Sequence, residues 1–376
     1  MDEISVLIVG GGPAGLSAAI ALRQRGINCT VVEAQVPGTD KACGEGLMPG
    51  ALAVLRRLGV ELGASSGQSF RGIRFVNEDL CVDADFAGGN GLGVRRPELH
   101  RRLVERASRL GADLRWNSRV RLLQQPGVNA MGRASIDGRE IGFHWLVGAD
   151  GQSSTVRKWA GLEAWRSERV RFGFRRHFRV PPWSEFVDVH WGAGIQIYVT
   201  PVSADSVCVV AMSHNAKFGW DEVSRSFPEL AMRLNSAELI SAPRGGMSAM
   251  RRLHRVANDR VALIGDASGS ADAITGEGLG MTFRQASALA DAIRAESLAS
   301  YEQRHRSIGR RAHWMGGLML TMDCWPALVR PTLKVLGAAP GLFSSLLNFH
   351  TEPALPGDLQ AEADTIRVED STLLLA

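Results

Sequence analysis

Gly10, Gly12 and Gly15 stand at the spacing G-x-G-x-x-G, a pattern that can hold a diphosphate. They follow Ser5-Val6-Leu7-Ile8-Val9, a short apolar run that reads as a buried parallel strand. Gly10 allows the tight turn, and Gly12, ahead of Pro13 and Ala14, lets backbone approach a pyrophosphate. Gly15 lets the next helix pack on the strand. Leu16 to Arg25 is rich in Ala and Leu and reads as that helix, ended by Gly26. Its first amides and its dipole favour a bound anion. Cys29 to Val32 reads as a second strand. Glu33 follows, ahead of Ala34, where a carboxylate can accept both hydroxyls of an adenosine ribose. Two later segments complete the set: Gly148-Ala149-Asp150-Gly151, and Gly265-Asp266 through Gly276-Glu277-Gly278. Together they describe one dinucleotide site drawn from distant parts of the chain.

The elements that must position these residues fall into blocks. The chain has 376 residues, 45% hydrophobic and 22% charged, which suits a globular enzyme of one large or two interleaved domains. Residues 1–165 read as the first part of a nucleotide-binding domain, with a helix from Leu99 to Leu110. From about 166 to 255 the pattern alternates in twos, as antiparallel sheet does. There Val170, Phe172, Phe174, Arg176 and Phe178 share one face, and Arg171, Gly173, Arg175 and His177 the other. Residues 256–300 return to the nucleotide-binding pattern, beginning with the strand-like Val261-Ala262-Leu263-Ile264. C-terminal helices are expected over 301–350, then a polar tail over 351–376. The fold class is therefore α/β, a Rossmann-like domain carrying an inserted antiparallel sheet.

Bulk chemistry excludes several classes. Net charge is +4 with dispersed Arg, so nucleic acid is not an expected partner. The five Cys are odd in number and none has metal-ligand spacing, so no metal is expected and a reducing cytoplasm fits. Met1-Asp2-Glu3 lacks the basic start of a secretory leader. No apolar stretch reaches the roughly 18 residues of a membrane span. Trp314, Met315, Leu318, Met319, Met322 and Trp325 sit at helix spacing. They read as core, with a greasy pocket or peripheral contact with a membrane surface as alternatives.

Over about residues 4–295 the chain resembles the FAD-dependent superfamily that includes para-hydroxybenzoate hydroxylase, geranylgeranyl reductases and flavin-dependent halogenases. That resemblance implies FAD, with Asp266 on the ribityl chain. Gly276, Gly278, Leu279 and Gly280 then bring amides to the pyrophosphate and flavin pyrimidine. It implies that Arg96 reaches the diphosphate, that the Val120 backbone touches adenine, and that Asp150 supports the fold and the approach of NAD(P)H. It also implies that Gly44, Glu45 and Gly46, in Cys43-Gly44-Glu45-Gly46, lie beside the flavin ring.

The departures sort the branches. Gly269 and Ala273 stand where aromatic hydroxylases carry His and Pro, and Thr275-Gly276-Glu277-Gly278-Leu279 resembles the reductases. No Lys lies between Lys41 and Lys158, and Gln196, Tyr198 and Thr200 replace the halogenase Trp-x-Trp-x-Ile signature before Pro201. The favoured reading is an NAD(P)H-dependent FAD monooxygenase. It would use molecular oxygen to hydroxylate a lipophilic or aromatic small molecule of polyketide or phenolic-lipid type, with NAD(P)H visiting transiently. The alternative is a geranylgeranyl-reductase-like alkene reductase. A halogenase or a flavin-binding protein without turnover ranks below both. Cys43, Arg176 and Tyr198 are the candidate catalytic residues, and for Arg176 a structural ion pair is an equal alternative.

Overall fold

The computed structural model describes residues 2–163 and 165–351, and the side chains of 166–169 are not among those described. The expected tail over 351–376 lies almost wholly outside the described residues.

The first sheet is built on five parallel strands. Their order is Val261–Leu263, Arg139–Gly148, Asp2–Val9, Cys29–Val32 and Asp113–Arg115. The central strand is buried on both faces, and Val6, Leu7 and Ile8 are fully buried. Helix Pro13–Gln24 begins directly after the Gly10–Gly12 turn, with Pro13 at its first position and Gly12 as its cap. Gly10 has φ +112°, and a side chain there would sit 2.4 Å from the Ala149 carbonyl oxygen. A side chain at Gly15 would sit 1.8 Å from the Gly10 carbonyl oxygen. Packing alone therefore demands both glycines.

The second sheet is mostly antiparallel. In order it comprises Gly269–Ser270, Arg244–Leu253, Trp165–Arg179, Ser206–Ser213, Ile195–Ser203, Phe186–Trp191, Gly72–Asn77 and Leu80–Asp85, with Glu238–Leu239 beside Trp165–Arg179. It thus recruits two strands from before residue 100, one of them parallel to Phe186–Trp191. On the long strand Trp165–Arg179, the phenylalanines pack outward toward the short helices Trp220–Ser226 and Pro228–Asn235. The charged face turns inward, where Arg171, Arg175 and His177 are fully buried.

Four C-terminal helices follow: Gly278–Arg294, Ala299–Cys324, Val329–Ala338 and Pro340–Thr351. Met315, Met319 and Met322 are buried in one cluster with Phe75, Trp191 and Phe343 and also line the cavity, so the core and greasy-pocket readings coincide there. Trp314 and Leu318 are exposed instead, on the neighbouring stripe of the same helix, and Trp325 is exposed just past its end. No helix among the described residues is long and apolar enough to cross a membrane.

Gly15→Ala should cost about 1–3 kcal/mol, because overpacking must push strand and helix apart. Thermal unfolding should report a lower midpoint together with reduced bound flavin.

Candidate active site

The carboxyl ends of the parallel strands open into one cavity of about 850 Å³. Its wall runs from the Gly10–Ala14 turn, past the 41–46 loop, to the second sheet and the C-terminal helices. Gly10, Gly12, Pro13, Ala14, Glu33, Ala34, Gly44, Glu45, Gly46, Arg96, Val120, Asp150, Asp266, Gly276, Gly278 and Leu279 all line it. Gly280 does not; it faces Ala51 and the Glu277 carboxylate. The fit to FAD can be tested on the glycines. A side chain at Gly12, Gly44 or Gly278 would meet no protein atom within 4 Å. Protein packing leaves their bareness unexplained, whereas the close approach of a ligand explains it. The donor set agrees. Two uncapped helix N-termini, at Pro13 and Gly278, and the Arg96 side chain border the cavity, as a diphosphate requires.

The Glu33 carboxylate accepts the Gly11 amide at 2.7 Å and the Gln35 amide at 2.9 Å. It thereby braces the loop as well as facing the expected ribose position. Asp150 accepts the Thr155 amide at 2.7 Å and the Val156 amide at 3.1 Å, so it caps a short helix at the cavity rim. Asp266 faces the cavity. Its carboxyl pKa is raised by burial among protein groups, against the pull of Arg96, Lys41 and Arg251. Below it, His305 accepts from the Gln285 amide at 3.1 Å and lies 2.8 Å from the Ser268 hydroxyl. Gln285 in turn accepts the Gly265 amide at 2.9 Å. Nothing in the sequence singled out His305, because its partners come from elements adjacent only in the fold.

Glu45 is the most constrained residue of the site. It is buried with φ +60°, a left-handed backbone that is unusual outside glycine. One carboxylate oxygen accepts the Arg96 amide at 2.9 Å and lies 3.4 Å from Arg175, and the other lies 2.7 Å from His177 Nε2. Arg175 grips Asp40 through two bonds of 2.8 and 2.6 Å and holds that carboxyl below its usual pKa. The Cys43 sulfur accepts the Glu45 amide at 3.4 Å, and its carbonyl faces the Cys208 thiol at 3.6 Å. Burial pushes that thiol well above its ordinary pKa. Ligand atoms of Glu45, His177 and Cys208 lie within 4.8 Å of one another. Arg175 and Arg95 share the same carboxylate, at 3.4 and 3.6 Å, and repel a cation there.

Among the candidate catalytic residues, Cys43 and Tyr198 line the cavity and Arg176 does not. The period of two puts Arg176 on the outward face, where its guanidinium stacks 4.6 Å over Trp220. Its charge is met by an aromatic ring, with Asp221 the acidic group acting on it, which corrects its placement beside the substrate. His177, on the inward face, meets Glu45 instead. On the same face Arg171, fully buried, binds Asp272 at 2.7 Å, Gln196 at 2.7 Å and Asp323 at 3.1 Å. The Tyr198 hydroxyl donates to Gln196 at 2.8 Å, and burial raises its pKa, so it stays neutral.

The chain belongs to the family whose model is described as "FAD binding domain", which matches residues 3–313. It is 28% identical over 296 residues to a menaquinone reductase of Mycolicibacterium smegmatis, spanning 73% of this chain and 72% of that protein. It is also 28% identical to a putative 2-heptyl-3-hydroxy-4(1H)-quinolone synthase of Rhodococcus erythropolis, over 88% of this chain and 91% of that one. A geranylgeranyl bacteriochlorophyll reductase-like structure from Thermoplasma acidophilum superposes with TM-score 0.75 at 21% identity, covering 94% of this chain and 93% of that one. The chain is an FAD-dependent oxidoreductase.

Asp266→Ala should remove a charge-assisted hydrogen bond to the ribityl chain, worth about 1.5–3 kcal/mol, or roughly 10- to 150-fold in FAD affinity. Titration of apoprotein with FAD checks this. A pH effect should accompany it. Burial lowers the His305 pKa from 6.5 to about 3, so the folded loop keeps the ring neutral. Once the loop is released the ring binds a proton. Retention is therefore full above about pH 6.5 and weakens as pH falls toward 3. Fluorescence of released FAD, followed from pH 7 to 4, should rise over that window and be flattened by His305→Asn.

Proposed function

We propose that this member of the FAD-binding family is an NAD(P)H-dependent monooxygenase acting with molecular oxygen on an apolar aromatic molecule. The observation that carries the reading is the composition of the cavity beyond the flavin position. Ile73, Phe75, Val187, Met319, Phe343 and Leu347 form a dry wall, and the Tyr198 hydroxyl in the same cavity is bonded to Gln196 and Arg171. The C-terminal helices supply much of this wall from residues beyond 313, outside the segment shared with the family. The wall is thus shared between the inserted sheet and a part of the chain that the family model does not reach.

Bound FAD supplies the electron transfer and oxygen activation. The protein's own contribution is to bind, orient and exclude water. The 41–46 loop, locked by Arg175 and Glu45, presents Cys43 and two bare glycine backbones toward the ring position. The amides at Gly276 and Gly278 favour negative charge on the reduced ring. Tyr198 forms wall, with its hydroxyl committed to Gln196.

A second reading, reduction of a quinone or alkene, has one observation in its favour: the likeness to a menaquinone reductase over about three-quarters of each chain. Peripheral contact with a lipid surface is consistent with either reading. Leu318 lies both in the cavity wall and in the exposed stripe with Trp314, so a greasy substrate could enter there.

NAD(P)H oxidation by the FAD-loaded protein should rise severalfold with an alkylquinolone or lipophilic phenol, consuming one oxygen per NAD(P)H and yielding a hydroxylated product. Anaerobic turnover giving a reduced product would select the second reading.

A further inference from the structure

Seven of the thirteen large apolar side chains exposed among the described residues fall between residues 314 and 349. Scattered singly they would need no explanation, but they frame one opening. Leu318, Thr332 and Leu346 each line the cavity while keeping contact with solvent, and each comes from a different C-terminal helix. The exposed apolar residues flank these three at helix spacing. Trp314 stands four residues before Leu318. Leu328 and Val335 stand four before and three after Thr332, and Leu342 and Phe349 four before and three after Leu346. Positions three and four apart share a helix face, so each helix presents one apolar stripe to the mouth and to the surface around it. Trp314 and Phe349 meet with ring centroids 5.8 Å apart, which joins the first and last of the three helices. Trp325 is exposed just past the end of Ala299–Cys324.

Charge on these helices is one-sided. From 303 to 351 the sequence holds six Lys and Arg and a single acid, Asp323, which is buried against Arg171. Arg304 and Arg306 pair with Asp291 and Glu302. Glu78 and Asp79, from the neighbouring sheet, are met by Arg330 at 2.8 Å, with Lys334 acting on Asp79 as well. Arg310 and Arg311 come one turn before Trp314, and the Arg311 guanidinium stacks 4.7 Å over the Phe349 ring. Aromatic rings with cations beside them suit the boundary of a bilayer, where the ring reaches the acyl edge and the charge stays with phosphate. A protein partner would cap the mouth, whereas acyl chains continue the polarity of the Met315, Met319 and Phe343 wall behind it. No described helix is long and apolar enough to cross a membrane, so such contact is with the surface of one leaflet.

We propose that the three C-terminal helices dock this protein on an anionic lipid bilayer, with the apolar mouth of the cavity against the acyl layer. Arg310 and Arg311 meet lipid phosphates. Trp314, Leu318, Trp325 and Phe349 enter the boundary between headgroups and acyl chains. A lipophilic molecule then reaches the cavity past Leu318, Thr332 and Leu346 without crossing water. The inference deepens the proposed function by naming where its substrate is met, and it rests on that reading only in taking the apolar end of the cavity as the substrate's end.

The test floats the FAD-loaded full chain through a sucrose gradient with unilamellar vesicles, made of phosphatidylcholine alone or of phosphatidylcholine and phosphatidylglycerol in equal parts. The protein should rise with the mixed vesicles. Added salt should weaken that binding without abolishing it, because apolar contact is not screened. The double change Trp314→Ser and Trp325→Ser should lower the partition roughly tenfold. Arg310→Gln should lower it about fivefold on mixed vesicles and leave it unchanged on phosphatidylcholine alone. Both variants should keep their FAD and their thermal midpoint, since all three side chains are exposed. Met232→Ser, an exposed apolar residue on the helix Pro228–Asn235, should float as the unmodified protein does. No flotation with mixed vesicles, no preference for them, undiminished binding by the double variant, or an equal loss in Met232→Ser would overturn the docking surface. So would light scattering that finds a dimer dissolved by the same double change, since the face would then belong to a second copy. None of these outcomes touches the monooxygenase reading, which is decided by the product formed from dispersed substrate.

Discussion

The structure depends on burying the charged face of one strand. Over residues 171–177 of this strand every second residue points into the protein, and Arg171, Arg175 and His177 are there without access to solvent. A guanidinium in such a place is tolerated only with carboxylates around it. Arg175 takes Asp40 and, with His177, Glu45, which fixes the loop beside the flavin position. Arg171 takes Asp272, ahead of the glycines at 276 and 278, and Asp323 on the helix that walls the far end. Three cavity walls from distant parts of the sequence are thereby tied to one strand. Removing either arginine would strand buried carboxylates, which typically costs about 3–5 kcal/mol.

That arrangement explains how one pocket can be polar at one end and dry at the other. Charges are spent on one another behind the wall rather than exposed to the substrate. The flavin end offers backbone amides and Asp266, which suit a large anionic cofactor. The far end offers methionine, leucine and phenylalanine, which suit an apolar body, and methionine adapts to irregular shapes. Electrostatic work is thus done by fixed dipoles and positioned ions, and turnover depends on placement more than on a side-chain acid or base acting on the flavin.

The nucleotide-binding half was legible because its physics is local. A strand, a glycine turn and a helix lie within twenty-five residues, and Gly10 and Gly15 can be read from spacing alone. The alternation over 170–178 was equally legible, yet which face is buried was not. Hydropathy favours burying phenylalanine, whereas the fold gives the phenylalanines a partial cover of short helices and gives the arginines the interior. Arg176 was misplaced beside the substrate for that reason. Arg171 and His305 escaped notice because their partners, Asp272, Asp323, Ser268 and Gln285, stand near them only after folding. Glu45 was seen as part of a glycine loop, but its left-handed backbone and its four partners are tertiary facts.

The most direct test compares adjacent residues on opposite faces of the strand. Arg175→Leu and Arg176→Leu would each be loaded with FAD, and acrylamide quenching of the bound flavin's fluorescence would be measured. If buried charge on the inward face holds the flavin loop, Arg175→Leu should make the flavin severalfold more accessible to the quencher, whereas Arg176→Leu should match the unmodified protein. Equal quenching in both variants, or a larger change at Arg176, would contradict the account.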